Sequence, residues 1–300
     1  MSFRLDVCVC TFRRPQLADT LASLAVQRLP DGAEVTVVIA DNDETPSARP
    51  LVEEIGRTHP FPLRYVHAPA RNISVARNAC LAESDAPLAA FIDDDECAAP
   101  GWLAALIARR AETGAGVVLG PVRATYPEES PSWQREGDFH SIRPVWVKGE
   151  IITGYTSNVL LTRADPALRG LAFDLALGRS GGEDTAFFTA FHRGGGRIAF
   201  APDAVVSEIV ASGRLSLSWL LKRAFRSGQT HGMLLASEPG GALRGAIRMA
   251  TVLAKAGFCG LMALLSLFSR RRAAFWLLRG SLHAGVMMRL LGVRELVQYG

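Results

Sequence analysis

The sequence predicts an α/β protein with a mostly parallel sheet flanked by helices, followed by a helical C-terminal region. Three observations carry that expectation. Strand and helix signals alternate through the first 120 residues. Residues 87–93 form an apolar run suited to a central strand covered on both faces. From residue 215 onward only helical patterning continues.

The elements follow in order. LDVCVC (5–10) reads as the first strand, then a turn through Thr11-Phe12-Arg13-Arg14-Pro15 and a helix to about Gln27. AEVTVVIAD (33–41) is a β-branched second strand and LRYVHA (63–68) a third. ISVARNACLAE (73–83) has the i, i+3, i+4 apolar spacing of a helix. PLAAFID (87–93) is the fourth strand, GWLAALIARRAE (101–112) the next helix and AGVVLGPV (115–122) the fifth strand. Residues 123–150, with Pro, Ser and Trp, read as a long surface loop. A weaker α/β stretch continues to about Ile209, and within GRSGGEDTAFFTAF (178–191) glycines mark a loop and the second half a helix.

Half the residues are apolar, 49%, and the net charge is +4, which excludes disorder and predicts a sizeable core. The charge is unevenly spread. Residues 220–300 hold twelve Lys and Arg against two acidic residues, while residues 1–219 hold twenty-one against twenty-seven. An acidic body followed by a basic tail points to an anionic partner for the tail. Five cysteines in an odd set, with no CxxC, fit a reducing compartment better than a disulfide framework. Arg4 and Asp6 interrupt the N-terminal apolar run, so no signal peptide is expected and the start of the chain is expected in the cytoplasm.

The candidate site lies at the strand ends, where open α/β sheets bind ligands. AFIDDDE runs from a strand into Asp93, Asp94, Asp95 and Glu96. Adjacent carboxylates repel one another, and hard divalent cations prefer oxygen ligands, with one or two carboxylates plus substrate phosphates completing a Mg²⁺ site. Four companions accompany this turn: Thr11 to Pro15 with Arg13, Asp41-Asn42-Asp43, the segment Arg71 to Asn78, and Gly181-Gly182-Glu183-Asp184. On a helix Arg77 and Asn78 project to opposite flanks, so both are not expected to reach one ligand.

In this order "VCTFRRPQLADTLASLAVQ", "VVIADND", "RNISVARNACL", "FIDDDE" and "GGEDTAFF" resemble the inverting family 2 glycosyltransferases, over roughly residues 5–235. Further segments, "LGPVRATYP", "GDFHS", "VKGEIITGYTSNVLL", "FRSGQTHG" and the terminal "QYG", resemble members that build bacterial exopolysaccharide. The resemblance implies a GT-A fold, Rossmann-like, over residues 1–214, with a nucleotide-binding half near 1–120, an acceptor half near 121–214, and a basic amphipathic helical region over 215–300. It implies transfer of a sugar, glucose being its choice, from a UDP-sugar to a lipid-linked saccharide, with Mn²⁺ or Mg²⁺ as cofactor and no nucleic-acid partner. Thr11, Arg13, Asp41 and Arg71 would bind the uridine end. Asp93 and Asp94 would lie near ribose and donor sugar, and Asp95 would ligate the metal. Asp184 would be the general base, with Glu183 shaping the acceptor pocket. Arg223 and Arg226 fall where the family has a QxxRW-like pyrophosphate-binding stretch, although here Trp219 precedes the arginines. Many relatives have a metal-binding His after the late strand; Val205-Val206-Ser207-Glu208 has none, and Glu208 would be a substitute oxygen donor.

Plainer readings stand beside these. Asp93 to Glu96 also suits a solvated turn, Asp41 to Asp43 an Asx turn, and Asp184 a helix cap. Arg71 and Arg77 also suit salt bridges, and none of His140, His192, His231 and His283 is given a metal role. A sugar-1-phosphate nucleotidyltransferase would share the sheet and acidic site but needs a glycine-rich loop after strand one, where this chain has no glycine. A non-catalytic scaffold of the same fold is the remaining alternative. In the tail the longest charge-free run is residues 256–269, fourteen residues against the roughly 20 that a spanning helix needs. Arginines mixed with Phe, Trp and Leu suit helices lying on the anionic inner face of the cell membrane, and the alternative is a helical subdomain that packs or oligomerises.

Overall fold

The protein is described by a computed structural model covering residues 3–237 and 241–293. The terminal Gln298-Tyr299-Gly300 lies outside the described residues. Two compact units form. The first holds residues 3–125 and 141–209, and the second residues 126–140 and 210–293 of those described.

The first unit begins with β1 (Phe3–Thr11), α1 (Leu17–Ala25), β2 (Ala33–Asp41), α2 (Arg49–Gly56), β3 (Leu63–His67), α3 (Ile73–Glu83) and β4 (Leu88–Asp93). It continues with β5 (Glu96–Ala98), α4 (Trp102–Thr113), β6 (Val117–Leu119) and β7 (Val122–Thr125). The helix α5 (Ser132–Gly137) belongs to the second unit. The first unit resumes with β8 (Trp146–Val147), β9 (Glu150–Ile151), β10 (Asn158–Thr162), α6 (Glu183–Arg193), β11 (Ile198–Phe200) and β12 (Val206–Ile209). The second is completed by α7 (Leu217–Ala236), α8 (Ala242–Leu265) and α9 (Arg270–Leu290).

A seven-stranded sheet runs β11-β6-β10-β4-β1-β2-β3, with only β10 antiparallel to its neighbours. Side-chain alternation explains its two faces. Leu5, Val7 and Val9 of β1 join Val37 and Ile39 of β2 in one core with α1 and α4. Cys8, Val38 and Phe91 face the other core, with Ala76 of α3 and Phe188 of α6. Both faces are covered, so the central strands carry almost no polar residues. A second sheet runs β5-β12-β7.

Two sequence expectations change here. The run 115–122 is not one strand: Gly120-Pro121 divides it, β6 joins the large sheet and β7 the small one. Pro121 has no donor for a ladder, and a Cβ at Gly120 would strike the Ala204 carbonyl and the Asn158 amide. Residues 123–150 are not a plain loop either, since they contain the end of β7, α5 and the β8–β9 hairpin.

In the second unit α7 and α9 pack closely through glycine. Gly228 and Gly285 are buried, and a Cβ at either would meet backbone of the facing helix, at Leu282 and at Phe225. The tail also corrects the length estimate. Charge-free counting stops at Lys255, but α8 is a continuous helix of 24 residues, long and apolar enough by length and composition to cross a membrane. Only 17% of its most apolar stretch is buried, and Leu261, Leu264, Leu265, Leu267 and Phe268 are exposed.

Candidate active site

The carboxyl ends of β4, β1 and β2 meet at one edge of the large sheet. Cys10 pairs with Asp93 and Thr11 with Asp41 in the parallel register. β2 and β4 lie on opposite sides of β1, so the strand order reverses there. Such a reversal opens the crevice where open α/β sheets take their ligands.

On the β1–β2 side, Arg13 holds Asp43 with two hydrogen bonds, Nε to Oδ2 at 2.9 Å and Nη2 to Oδ1 at 2.8 Å. The forked contact keeps the Asp43 carboxyl well below its usual range, the Arg13 hydrogen bond being the largest influence. Arg13 and Arg71 both adopt left-handed backbone, with φ of 53° and 44°. Non-glycine residues rarely do so, and such positions cluster at functional sites. Both guanidinium groups lie within 6 Å of the Phe12 ring, at 5.3 and 5.9 Å. Asp41 is placed differently from a surface ligand. It is 0% exposed, one oxygen accepts from the Asp43 amide, and the other accepts from Tyr65 Oη and the Ala48 amide, both at 2.8 Å. It shapes the turn that presents Arg13 and Asp43. Asn42 joins that turn to the next helix, donating to Ala68 O at 2.7 Å and accepting from the Asn72 amide at 2.6 Å.

On the β1–β4 side the acidic turn is more compensated than its sequence suggests. Arg14 reaches Asp95 at 3.3 Å, and Arg77 acts electrostatically on Asp93. Glu96 is buried and accepts the Asp93 amide at 3.0 Å, closing the turn. Its partner across the β5–β12 ladder is Glu208, which brings a fifth carboxylate into the group. The compensation is incomplete. Burial pushes Asp93 up to about 7 and Asp94 up to about 6, with Asp95 adding to both. Burial raises Glu96 as well. Among the described residues the buried Asp94 Oδ2 and Thr11 Oγ1 atoms have no partner at regular hydrogen-bond geometry, although Thr11 lies close enough to lower the Asp94 carboxyl and so offsets part of its burial. Buried polar atoms are normally paired, so a hard cation with oxygen ligands fits this donor set. Among the described residues no group of three His, Cys, Asp or Glu side chains is gathered to hold a metal alone. Mg²⁺ commonly takes one or two carboxylates and leaves other positions to phosphates and water.

The second acidic pair starts α6. Gly181 and Gly182 have φ of 86° and 92°, values open to glycine, and turn the chain into the helix. Asp184 is partly exposed and its Oδ1 accepts from the Thr185 amide at 2.6 Å, so it also serves the helix start. Glu183 is buried against Arg77. Burial raises its carboxyl above the usual range while Arg77 opposes that rise.

The segment Arg71 to Asn78 has separate tasks that sequence reasoning did not assign. Asn72 caps α3 through the Ser74 amide and donates to Leu175 O at 2.9 Å. Ser74 donates to Asp174 O at 2.7 Å. Asn78 exchanges two hydrogen bonds with the Phe173 backbone. Arg77 and Asn78 thus have different partners, as their helical spacing predicts. The motif straps the chain leading into Gly181–Asp184 onto α3. The one sequence signal was the run of short amide and hydroxyl side chains on a single helix.

Arg223 and Arg226 lie on α7 in the second unit. Although Trp219 comes first in sequence, one helical turn brings the Arg223 guanidinium to 5.5 Å from its ring. His140, from the GDFHS segment, stacks on Trp219 at 5.5 Å, donates from Nε2 to Arg214 O, and pairs through Nδ1 with Tyr126 Oη. It is a packed, hydrogen-bonded histidine rather than a ligand. Glu208 lies in the first unit beside the acidic turn, and no histidine adjoins it in the strand.

A mostly parallel sheet with an acidic turn at its reversal point and a second carboxylate pair on a neighbouring helix matches the GT-A fold of glycosyltransferases. The chain belongs to glycosyl transferase family 2, whose sequence pattern matches residues 6–165. It is 53% identical over 299 residues, all of this chain and 96% of the relative, to the succinoglycan biosynthesis protein ExoM of Rhizobium meliloti (strain 1021). Two solved structures share the fold at low identity. One is the mannosyltransferase PcManGT from Pyrobaculum calidifontis in complex with GDP-Man and Mn²⁺, with TM-score 0.66 and 19% identity, covering 98% of this chain and 89% of that one. The other is S. aureus TarS 1–349 in complex with UDP, with TM-score 0.54 and 15% identity, covering 99% and 97%.

Proposed function

We propose that this protein is a divalent-metal-dependent, inverting glycosyltransferase of succinoglycan-type exopolysaccharide synthesis, moving glucose from UDP-glucose to a lipid-linked oligosaccharide. The observation that carries the reading is the acidic turn at the β1–β4 reversal, with buried carboxylates whose charges are incompletely compensated, joined through Arg77 to the carboxylate pair of α6. Support for the pathway comes from the 53% identical relative, whose name places it in succinoglycan biosynthesis.

In this reading Thr11, Arg13, Asp41 and Arg71 form the uridine end, with Asp41 acting largely through the turn it shapes. Asp93 and Asp94 lie beside ribose and sugar. Asp95 would hold Mn²⁺ or Mg²⁺, with Glu208 as a further oxygen donor. A bound cation supplies charge stabilisation for the departing diphosphate without a proton. Arg223 and Arg226 take the pyrophosphate. Asp184 accepts the proton of the acceptor hydroxyl as its oxygen attacks the anomeric carbon and the bond to UDP breaks. Single displacement inverts that centre. Glu183 shapes the acceptor side. The nucleotide half spans about 1–120, the acceptor half about 121–214, and residues 215–300 seat the enzyme on the cytoplasmic face of the membrane. The exposed apolar residues of α8 and the Arg270-Arg271-Arg272 start of α9 suit an anionic headgroup layer.

Calorimetric titration of UDP into the purified protein, with Mn²⁺ and then with EDTA, tests the donor. Binding that needs the metal is expected, followed by selective turnover of UDP-glucose in a UDP-sugar panel. Metal-independent binding, or none, would remove the donor assignment.

A further inference from the structure

Arg77 occupies a position that the transfer chemistry above leaves without a task. Its guanidinium is nearly buried, 9% exposed at the side chain, and meets a Glu183 carboxylate that is 6% exposed. A buried guanidinium costs desolvation, and here the carboxylates of Glu183, Asp184 and Asp93 outweigh that cost. The three belong to two different parts of the site, β4 on the donor side and α6 on the acceptor side. The guanidinium also lies 5.6 Å from the Phe173 ring, which stacks on Phe187 of α6 at 4.3 Å. Arg77 therefore grips α6 twice, through Glu183 in its first turn and through Phe173 against its second.

One other side chain from outside α6 ties its first turn, the Thr153 hydroxyl donating to the Thr185 carbonyl at 3.0 Å, and it does not bond the Glu183 or Asp184 carboxylate. That turn follows two glycines in left-handed backbone, its N-cap Gly182 has no side chain to cap with, and Asp184 bonds only within its own turn. The Glu183 Oε2 atom is buried with no hydrogen-bond partner among the described residues, where Arg77 is the one side chain bonded to that carboxylate.

We propose that Arg77 is a positioning residue for sugar transfer: by clamping Glu183 it fixes the first turn of α6, and with it Asp184, against the acidic turn of β4. The inference rests on the reading of Asp184 as the base. Misplacing a catalytic group by about 1 Å can cost about 10²-fold in rate, and that is the size of effect expected.

The test uses the full-length enzyme in its membranes. It compares Arg77→Met, Arg77→Lys, the charge-neutral double variant Arg77→Met/Glu183→Gln, and Asp184→Asn. Two readouts are taken: glucose incorporation from UDP-glucose into the lipid fraction, and hydrogen exchange of residues 183–187. Arg77→Met is expected to lower kcat about 10²-fold with the UDP-glucose KM within about twofold, and to deprotect that peptide while β1 and α3 keep their protection. Arg77→Lys should recover part of the rate, because it restores the charge without the fork. The double variant removes the Glu183 charge together with that of its partner, so it should fold better than Arg77→Met and lose as much rate. An unchanged kcat, or unchanged exchange at 183–187, in either Met-containing variant overturns the proposal. Full activity in Asp184→Asn, or no glucose transfer by the parent, would instead overturn the proposed function, and the exchange readout would still decide whether Arg77 holds the turn.

Discussion

Arg14 and Asp95 meet at 3.3 Å across the β1–β4 reversal, so a protein cation already touches the carboxylate assigned to the metal. Metal and Arg14 then compete for, or share, one oxygen pair. Arg14→Gln should tighten Mn²⁺ binding to the nucleotide-free protein about two- to fivefold, since a half-exposed ion pair is worth about 0.5–1 kcal/mol. Asp95→Asn should weaken it at least about tenfold, as a ligand loses its charge. Titration calorimetry with Mn²⁺ measures both, and equal affinities in the parent and Asp95→Asn would move the metal elsewhere.

Asp184→Asn should lower kcat about 10²–10⁴-fold, the usual contribution of a general base. Metal-dependent UDP affinity should stay within about twofold, because Asp184 lies on α6 and not in the β4 turn. Parallel kinetics and UDP titration separate the two, and a large loss of UDP affinity would place Asp184 at the donor instead.

Arg13 and Asp43 predict a pH-dependent stability. The folded Asp43 carboxyl sits below its usual value, chiefly through the Arg13 hydrogen bond. The stabilisation is therefore complete above the unfolded carboxylate value, near pH 4, and is lost as pH falls through the lower folded value. Arg13→Ala should be less stable than the parent at pH 7 by urea denaturation. The gap should close as the pH drops below about 4. A gap that stays constant to low pH would mean that Arg13 stabilises by packing rather than through Asp43.

Gly285→Leu should weaken the α7–α9 pair by about 1–3 kcal/mol or more, because the new side chain meets the Phe225 carbonyl and backbone cannot repack as a side chain would. Thermal unfolding followed by helical circular dichroism checks it. Gly245 of α8, where a Cβ meets nothing, is the control: Gly245→Ala should not destabilise.

The basic start of α9 should contribute to membrane affinity. Replacing Arg270, Arg271 and Arg272 by Gln should weaken binding to vesicles containing phosphatidylglycerol about a hundredfold, at about 1 kcal/mol per basic residue. Binding should fall with salt. Retention on neutral phosphatidylcholine vesicles at high salt would mean that α8 is inserted through apolar contact alone, for which its length suffices.

Periodicity alone placed β1 to β4 and α3 to within a residue or two, because those strands are covered on both faces and α3 has a clear apolar stripe. It failed where an element changes sheet. The break at Gly120-Pro121 divides one β-rich run between two ladders, and nothing in local propensity separates the halves. Residues 126–140 read as loop because the Tyr126–His140–Trp219 group that organises them is completed from almost eighty residues further along the chain.

The sequence by itself determined the alternating α/β pattern, the carboxylates at strand ends and the basic tail, since these depend on residue type and local spacing. Only tertiary structure decided which charges meet. Arg14 on Asp95, Arg77 between Glu183 and Asp93, and Glu208 opposite Glu96 make four pairs, three of them joining residues 81 to 112 positions apart. Local propensity carries no information over such distances. The parallel register of β4, β1 and β2 and the packing of α6 against α3 bring these groups together, and burial then makes their charges matter.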